Sequence, residues 1–283
     1  MRFVSFQLGE RQSYGLLTPD GIVDLAPRLR IPSLRALLAA GKVAEARRFA
    51  GEQPDIPAGR AQFLPVIPDP QHIFCIGTNY LQHLEEVQKS GIARPYPKHP
   101  PLFIRYPETL VGHDRPLIKP RVSSAFDYEA ELAVIIGTGG RDITEERALD
   151  HVAGYACFND GSIRDWQFHT TQVTPGKNFA ATGSCGPAMV PADEIADPHN
   201  LAITLRLNGR ALQNSNTREM LFKIPALIAY LSTLLPLQPG DIIATGTPDG
   251  VGFSRTPPIF MKPGDVCEIE IERVGLLRNP VSE

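Results

Sequence analysis

The residues of this sequence best suited to chemistry are acids set into its most apolar stretch. Asp127-Tyr128-Glu129-Ala130-Glu131 leads directly into Leu132 to Ile136, and Asn159-Asp160-Gly161-Ser162 follows a second apolar run, Gly154 to Phe158. Strand residues alternate faces with period two, so Asp127, Glu129 and Glu131 are expected to point the same way, while the run after them is apolar on both faces and reads as buried. Carboxylates at the mouth of a buried strand lose solvation and repel one another, and they escape by taking up a proton or by binding a cation. An all-oxygen set, completed by backbone or water, suits magnesium, manganese or calcium better than zinc. Alternation alone describes the wet face of an antiparallel sheet equally well, and Asp160 before Gly161 equally describes a turn former.

Other candidates lie along the chain. His83 and Glu86 are three apart in a short polar helix, which puts both on one face and lets the carboxylate orient the imidazole. Lys177 sits in Pro175-Gly176-Lys177-Asn178, beside a glycine that serves a turn or a close approach equally. Arg164 and Gln167 belong to a helix expected after Asp160. Thr247, within Gly246 to Gly252, offers a hydroxyl and backbone amides, and the stretch lacks the spacing and lysine of a phosphate loop. The proline-rich tract Gly91 to Pro101 is irregular enough to form a cover over a pocket.

The elements that must position these groups are mostly short strands. Arg2 to Gln7 and Tyr14 to Asp24 read as a small meander, Ser33 to Gly41 and Ala44 to Phe49 as helices. Prolines 54, 57, 65, 68 and 70 then break the chain, which places a small N-terminal α+β domain at 1–68 and the main domain at 69–283. Further strands are expected at His72 to Ile76, Leu102 to Tyr106, Gly154 to Phe158 and Leu201 to Leu207, with a hairpin turn at Asn208-Gly209. Thr144 to His151 is expected as a helix. Ile224, Ile228, Leu231 and Leu235 recur at helical spacing between Pro225 and Pro236, and Val266 to Ile271 reads as the last strand. The class is a mixed, β-rich α+β fold.

At 283 residues and 42% hydrophobic the chain can bury a full core. Its formal charge of -3 shows no basic excess, so neither nucleic acid nor an anionic membrane is an expected partner. The 4 cysteines are scattered, without metal or disulfide spacing, and no apolar run approaches a membrane span, so a reducing cytoplasm and small-molecule partners are expected.

Taken together, the motifs resemble the fumarylacetoacetate hydrolase superfamily, in its branch of acylpyruvate hydrolases and 2-hydroxyhepta-2,4-diene-1,7-dioate isomerases. The resemblance runs from about Pro70 to Val281 and rests on Ile76-Gly77-Thr78-Asn79-Tyr80 with His83 and Glu86, Asp127 to Ala133, Asn159-Asp160 with Arg164 and Gln167, Gly176-Lys177, Gly186-Pro187, and Pro239-Gly240-Asp241 through Gly246-Thr247-Pro248 to Gly252. It implies a compact roll of mixed β strands with short peripheral helices, a homodimer, and a divalent metal held by Glu129, Glu131 and Asp160. It further implies His83 with Glu86 as the acid-base dyad, Lys177 as the stabiliser of an oxyanion or enolate, and Arg164, Gln167 and Thr247 as substrate contacts. Two departures bear on the substrate: Arg105 stands where many relatives carry lysine, and Ala180 to Cys185 is smaller and less acidic than the common form.

The expected reaction is hydrolysis of a carbon-carbon bond in an acylpyruvate-like 2,4-dioxo acid, such as the fumarylpyruvate-type compounds of aromatic catabolism. A metal would stabilise the departing enolate and His83 would activate water, so activity should rise as the imidazole loses its proton. The same chemistry supports a metal-dependent isomerase, tautomerase or decarboxylase of an unsaturated oxo-dicarboxylic acid. A third reading is a non-catalytic member that binds a small acid.

Overall fold

The computed structural model describes residues 1–91 and 95–283; residues 92–94, within the expected cover from Gly91 to Pro101, lie outside the described residues. The molecule is assembled on the strand Ala130–Ile136, every residue of which is buried. It runs antiparallel to Val152–Asn159 on one side and to Ile242–Ala244 on the other. Ala130, Leu132, Val134 and Ile136 belong to one apolar cluster, and Ala133 and Ile135 to another. Both faces are covered, which is why the strand reads as an unbroken apolar run rather than an alternating one.

Outward from this centre, Val152–Asn159 continues to Gly183–Pro191, then to Phe3–Leu8, Arg11–Thr18 and Gly21–Asp24. On the far side Ile242–Ala244 pairs in parallel with Ile73–Ile76, which leads to Leu102–Ile104 at the edge. The N-terminal strands thus extend the main sheet, with Phe3 opposite Met189, and Phe3, Tyr14, Leu16, Leu34 and Leu37 share a core with Ala133, Ile135 and Phe158. A second sheet orders Arg210–Asn216, Ala202–Leu207, Val266–Ile271, Gly275–Ser282 and Leu117–Ile118. Its Ile203, Leu205, Ile269 and Leu277 meet Leu132 and Val134 across the layer, closing the mixed β-rich α+β roll.

The longest helix, Ile224–Leu234, starts with proline in its first turn and ends at extended Leu235, before Pro236. Besides several two-residue strands, two long ones escape a sequence reading. Gly183–Pro191 carries turn-like Gly and Pro, yet it lies inside the sheet because its ladder with Val152–Asn159 shifts register between Tyr155 and Cys157, an irregularity that accommodates Pro187 without its amide hydrogen. Gly275–Ser282 contains Pro280 and follows Val266–Ile271, which is therefore not the last strand. Glu145–His151 is a 3-10 helix.

Candidate metal and proton-transfer site

Strand pairing brings the acids together. Glu131 lies opposite Phe158 and Ala130 opposite Asn159, so the next residue, Asp160, arrives beside Glu129, whose carbonyl accepts the Asp160 amide at 3.0 Å. Glu129, Glu131 and Asp160 are buried, and one ligand atom from each lies within 4.8 Å of the others. Asp127 does not join them, because it belongs to a separate two-strand ribbon with Ser162–Ile163 and the chain leaves regular alternation before Ala130. Its carboxylate instead accepts from Arg164 Nε at 2.8 Å and from the amides of Gly252 and Phe253.

Each of the three acids has one oxygen already held. Arg164 Nη2 donates to Glu129 Oε1 at 2.7 Å, Arg105 Nη1 to Asp160 Oδ1 at 2.6 Å, and the Gly246 amide to Glu131 Oε2 at 2.8 Å. Gly246 can aim its N–H this way because its backbone sits at φ +97, where a side chain would be strained and would meet Asn79 Cβ at 2.7 Å. Lys177 Nζ donates to Glu129 Oε2 at 2.7 Å and Asp160 Oδ2 at 2.6 Å, with the Asp160 carbonyl at 3.4 Å as a third acceptor. The ammonium is delivered by the short helix Thr174–Lys177, which packs so closely on Arg164–Gln167 that a Cβ on Gly176 would stand 2.5 Å from Gln167 Cβ. The glycine before Lys177 therefore serves a close approach.

The electrostatics are uneven. Burial works against the Glu129 carboxylate, but the Lys177 and Arg164 charges outweigh it and hold the carboxyl far below the usual range. Burial likewise opposes the Lys177 ammonium, and Asp160 and Glu129 more than restore it, raising its pKa. No described lysine or arginine forms an ion pair with Glu131, and burial, with the charges of Asp160 and Glu129, pushes its carboxyl well above the usual value. Hard oxygen donors, a free oxygen on Glu131, which has no cation of its own, and one oxygen each on Glu129 and Asp160 held only by the Lys177 ammonium fit a divalent metal ion that competes with that ammonium. Metal binding requires the carboxylate, so raising the pH should strengthen it, and each ion bound near neutral pH should release up to about one proton. Calorimetry in buffers of different ionisation enthalpy reads that proton; a binding heat independent of the buffer would refute the assignment.

His83 lies on the helix Leu81–Lys89, which buries His83, Leu84 and Val87 on one side. Asn79, just before it, donates to the carbonyls of Phe222 and Thr245 and accepts from the Phe222 amide, pinning the helix start to the chain that leads into Thr247. His83 Nδ1 is 3.0 Å from Glu86 Oε2, and Glu86 Oε1 accepts from the Gly250 amide at 2.9 Å and Ser254 Oγ at 2.5 Å. Burial would raise the Glu86 carboxyl, but the bonds from His83 and Ser254 hold it below its ordinary value. A carboxylate only accepts, so Nδ1 carries a hydrogen, and in the neutral imidazole the lone pair is on Nε2.

A cavity of about 630 Å³ joins these parts, with His83, the three acids, Arg164, Gln167, Lys177 and Thr247 in its wall. Of the residues singled out in the sequence, Glu86 reaches the cavity only through His83, and Asp127 stands apart behind Arg164. Arg164 is largely spent on the protein: besides Asp127 and Glu129 it donates to Gln167 Oε1 at 2.9 Å, and its guanidinium lies 4.5 Å from the Phe253 ring centre. Among the described residues no group accepts from the Gln167 amide nitrogen, and the side chain lines the cavity. Sequence reasoning noted Arg105 only as a departure and passed over Gln213 and the role of Asn79; Arg105, 2% exposed, is the buried partner of Asp160. Its isolated charge among apolar residues at Leu102 to Ile104 was the available signal.

A family model described as fumarylacetoacetate (FAA) hydrolase C-terminal matches residues 72–282. A mitochondrial oxaloacetate tautomerase of Xenopus laevis is 42% identical over 294 residues, covering 99% of this chain and 90% of its own. The fumarylacetoacetate hydrolase of psychrophilic Exiguobacterium antarcticum superposes with a TM-score of 0.82 at 32% identity, covering 100% of this chain and 99% of that one. The maleylpyruvate hydrolase of Sphingobium sp. SYK-6, solved with manganese(II) and pyruvate, does so with a TM-score of 0.80 at 28% identity, covering 100% and 99%. Among the described residues no helix is long and apolar enough to cross a membrane.

Proposed function

The chain belongs to the fumarylacetoacetate hydrolase family, a family of enzymes, and from that footing we propose that it interconverts the keto and enol forms of a short 2-oxo-dicarboxylic acid of the oxaloacetate type. The observation that carries this reading is the 42% identity to an oxaloacetate tautomerase along 99% of the chain, against 28% to the maleylpyruvate hydrolase. It displaces acylpyruvate hydrolysis, the reaction first expected from the sequence, as the leading activity. The site supports it chemically. Tautomerisation needs one group that takes a proton from carbon and returns it to oxygen, and His83 is the one imidazole among the described residues lining the cavity. Hydrolysis would also need a positioned water and a proton for the departing carbon.

Mg²⁺ or Mn²⁺ is the proposed cofactor, held by Glu129, Glu131 and Asp160. When bound, such an ion supplies positive charge that lowers the cost of an enolate. His83 Nε2 takes the proton from C3 of the oxo acid while Nδ1 stays bonded to Glu86, and the same nitrogen then hands the proton to the enolate oxygen. Carbon loses one hydrogen, oxygen gains one, and nothing else is consumed. Among the described residues, Gln167 Nε2 and the Thr247 hydroxyl are donors available to the acid's oxygens; Lys177 steadies the developing charge by giving up one of its bonds to the acids.

The test follows the ultraviolet absorbance of enol-oxaloacetate in the presence of Mn²⁺ or Mg²⁺. Accelerated ketonisation at unchanged mass is the expected result. Pyruvate release from acylpyruvates without ketonisation would restore the hydrolase reading, and oxalate binding with no turnover would favour a binding protein. His83→Gln should lower kcat by roughly 10²–10⁴-fold with the fold intact, and Glu86→Gln by less; a His83→Gln enzyme near parental kcat would remove His83 from the mechanism.

A further inference from the structure

Gln213 lies on the strand Arg210–Asn216 of the second sheet, 1% exposed. The ladder of this strand with Ala202–Leu207 shifts register between Leu205 and Arg206, and Leu212 and Gln213 are buried in succession. Leu212 joins the apolar core, and Gln213 meets the site. Its Oε1 accepts the amide of Ala130 at 2.9 Å, the peptide that stands between Glu129 and Glu131.

That one bond decides the rest. A backbone N–H can only donate, so the oxygen of the Gln213 amide must face Ala130 and the nitrogen must face the other way. Nε2 then donates to Thr247 Oγ1 at 2.8 Å and to the Pro248 carbonyl at 2.8 Å, which uses both of its hydrogens. A hydroxyl that accepts from an amide keeps its own hydrogen for a different acceptor. Thr247 is 2% exposed, lines the cavity and has no other hydrogen-bond partner among the described residues, so its hydrogen is left for whatever occupies the cavity.

We propose that Gln213 is a positioning residue: it makes Thr247 a one-way hydrogen-bond donor to a carboxylate or oxo oxygen in the cavity, and ties that donor to the peptide between Glu129 and Glu131. The inference rests on reading the cavity as an oxo-acid site. It also adds a side-chain tie between the acid-bearing strand and the recognition hydroxyl to those already made by the pairing of Ala130–Ile136 with Ile242–Ala244 and by the Gly246 amide on Glu131.

Gln213→Glu tests this with little change of shape. In its ionised form the new side chain keeps one oxygen for the Ala130 amide, while the other can only accept and turns the Thr247 hydrogen away from the cavity; burial raises the pH at which it ionises, so oxalate binding is compared across a pH series and read above that point. The oxalate dissociation constant, measured by calorimetry with saturating Mn²⁺, should rise roughly tenfold, as for a lost charge-assisted hydrogen bond. KM for the oxo acid should rise by more than kcat falls. Thr247→Val should do the same, Thr247→Ser should keep parental affinity, and Gln213→Glu added to Thr247→Val should cost little more. Parental oxalate affinity in a folded Gln213→Glu, or fully additive losses in the double variant, would overturn the proposal. Should Gln213→Glu fail to fold, parental affinity in Thr247→Val does so instead. A parent that binds oxalate but never speeds ketonisation defeats the tautomerase reading alone; a parent that binds no oxalate defeats both.

Discussion

Glu131→Ala is expected to lower metal-dependent turnover by at least about a hundredfold, the upper range for losing a group that merely supports a ligand, while the protein stays folded. The second half of the expectation follows from the charges around it. In the metal-free protein Glu131 is buried beside Asp160 and Glu129 with no cation of its own, and its carboxyl is pushed well above the value of 4.5 it would have in water. A carboxyl raised on folding stabilises the folded state in its protonated form. That contribution is complete below the unfolded value and is lost as pH rises through the folded one. Metal-free parent should therefore lose stability from acid to neutral pH by a slope that Glu131→Gln, which keeps the shape and an acceptor for Gly246, removes. Melting curves in chelator across that range, beside turnover assays with Mn²⁺, make the comparison. Retained activity in Glu131→Ala would sink the metal assignment, and an unchanged pH slope in Glu131→Gln would sink the account of its charge.

Lys177→Met should have the opposite sign on stability. It deletes the cation shared by Glu129 and Asp160, each of which has its other oxygen held by an arginine. Removing one partner of a buried ion pair costs about 3–5 kcal/mol, because the remaining charge has no solvent to turn to. The metal-free variant should melt well below the parent. Saturating Mn²⁺ restores positive charge at the same oxygens, and binding at a hundred times the dissociation constant stabilises by about 2.7 kcal/mol. The melting shift on adding Mn²⁺ should thus be larger for Lys177→Met than for the parent, in which the ion contends with the ammonium. Turnover should stay low, since the variant lacks the group that steadies the enolate. A metal-free variant as stable as the parent would show that Lys177 is not what keeps the acids charged.

Much of the site was legible because its signals are local. Glu129 and Glu131 interrupt an apolar strand, Asp160 ends the neighbouring one, and His83 and Glu86 are one helical step apart; each pattern fits within a few residues. The roles of Arg105 and Gln213 depend on where distant segments meet. Arg105 reaches Asp160 across 55 positions, and Gln213 reaches Thr247 through a register shift that no spacing rule anticipates. Period-two alternation also overreached at Asp127, where the chain leaves one ribbon before entering the next strand. The glycines and prolines of Gly183–Pro191 read as turns for a related reason: their cost in a strand is absorbed by an irregular ladder that only the neighbour reveals.

The pairing of Phe3–Leu8 with Gly183–Pro191 bears on where this molecule can be cut. The family match begins at residue 72, but the sheet does not. A chain trimmed to that point would leave the Met189 end of the outer rim of Gly183–Pro191 with unsatisfied amides and carbonyls, Gly183 and Ser184 alone keeping Leu110–Val111 as a neighbour, and would lay bare the apolar side of the layer that holds Ala133, Ile135 and Phe158. Open strand rims of this kind recruit other chains, so the first residues act as a built-in guard against aggregation as well as a wall of the core.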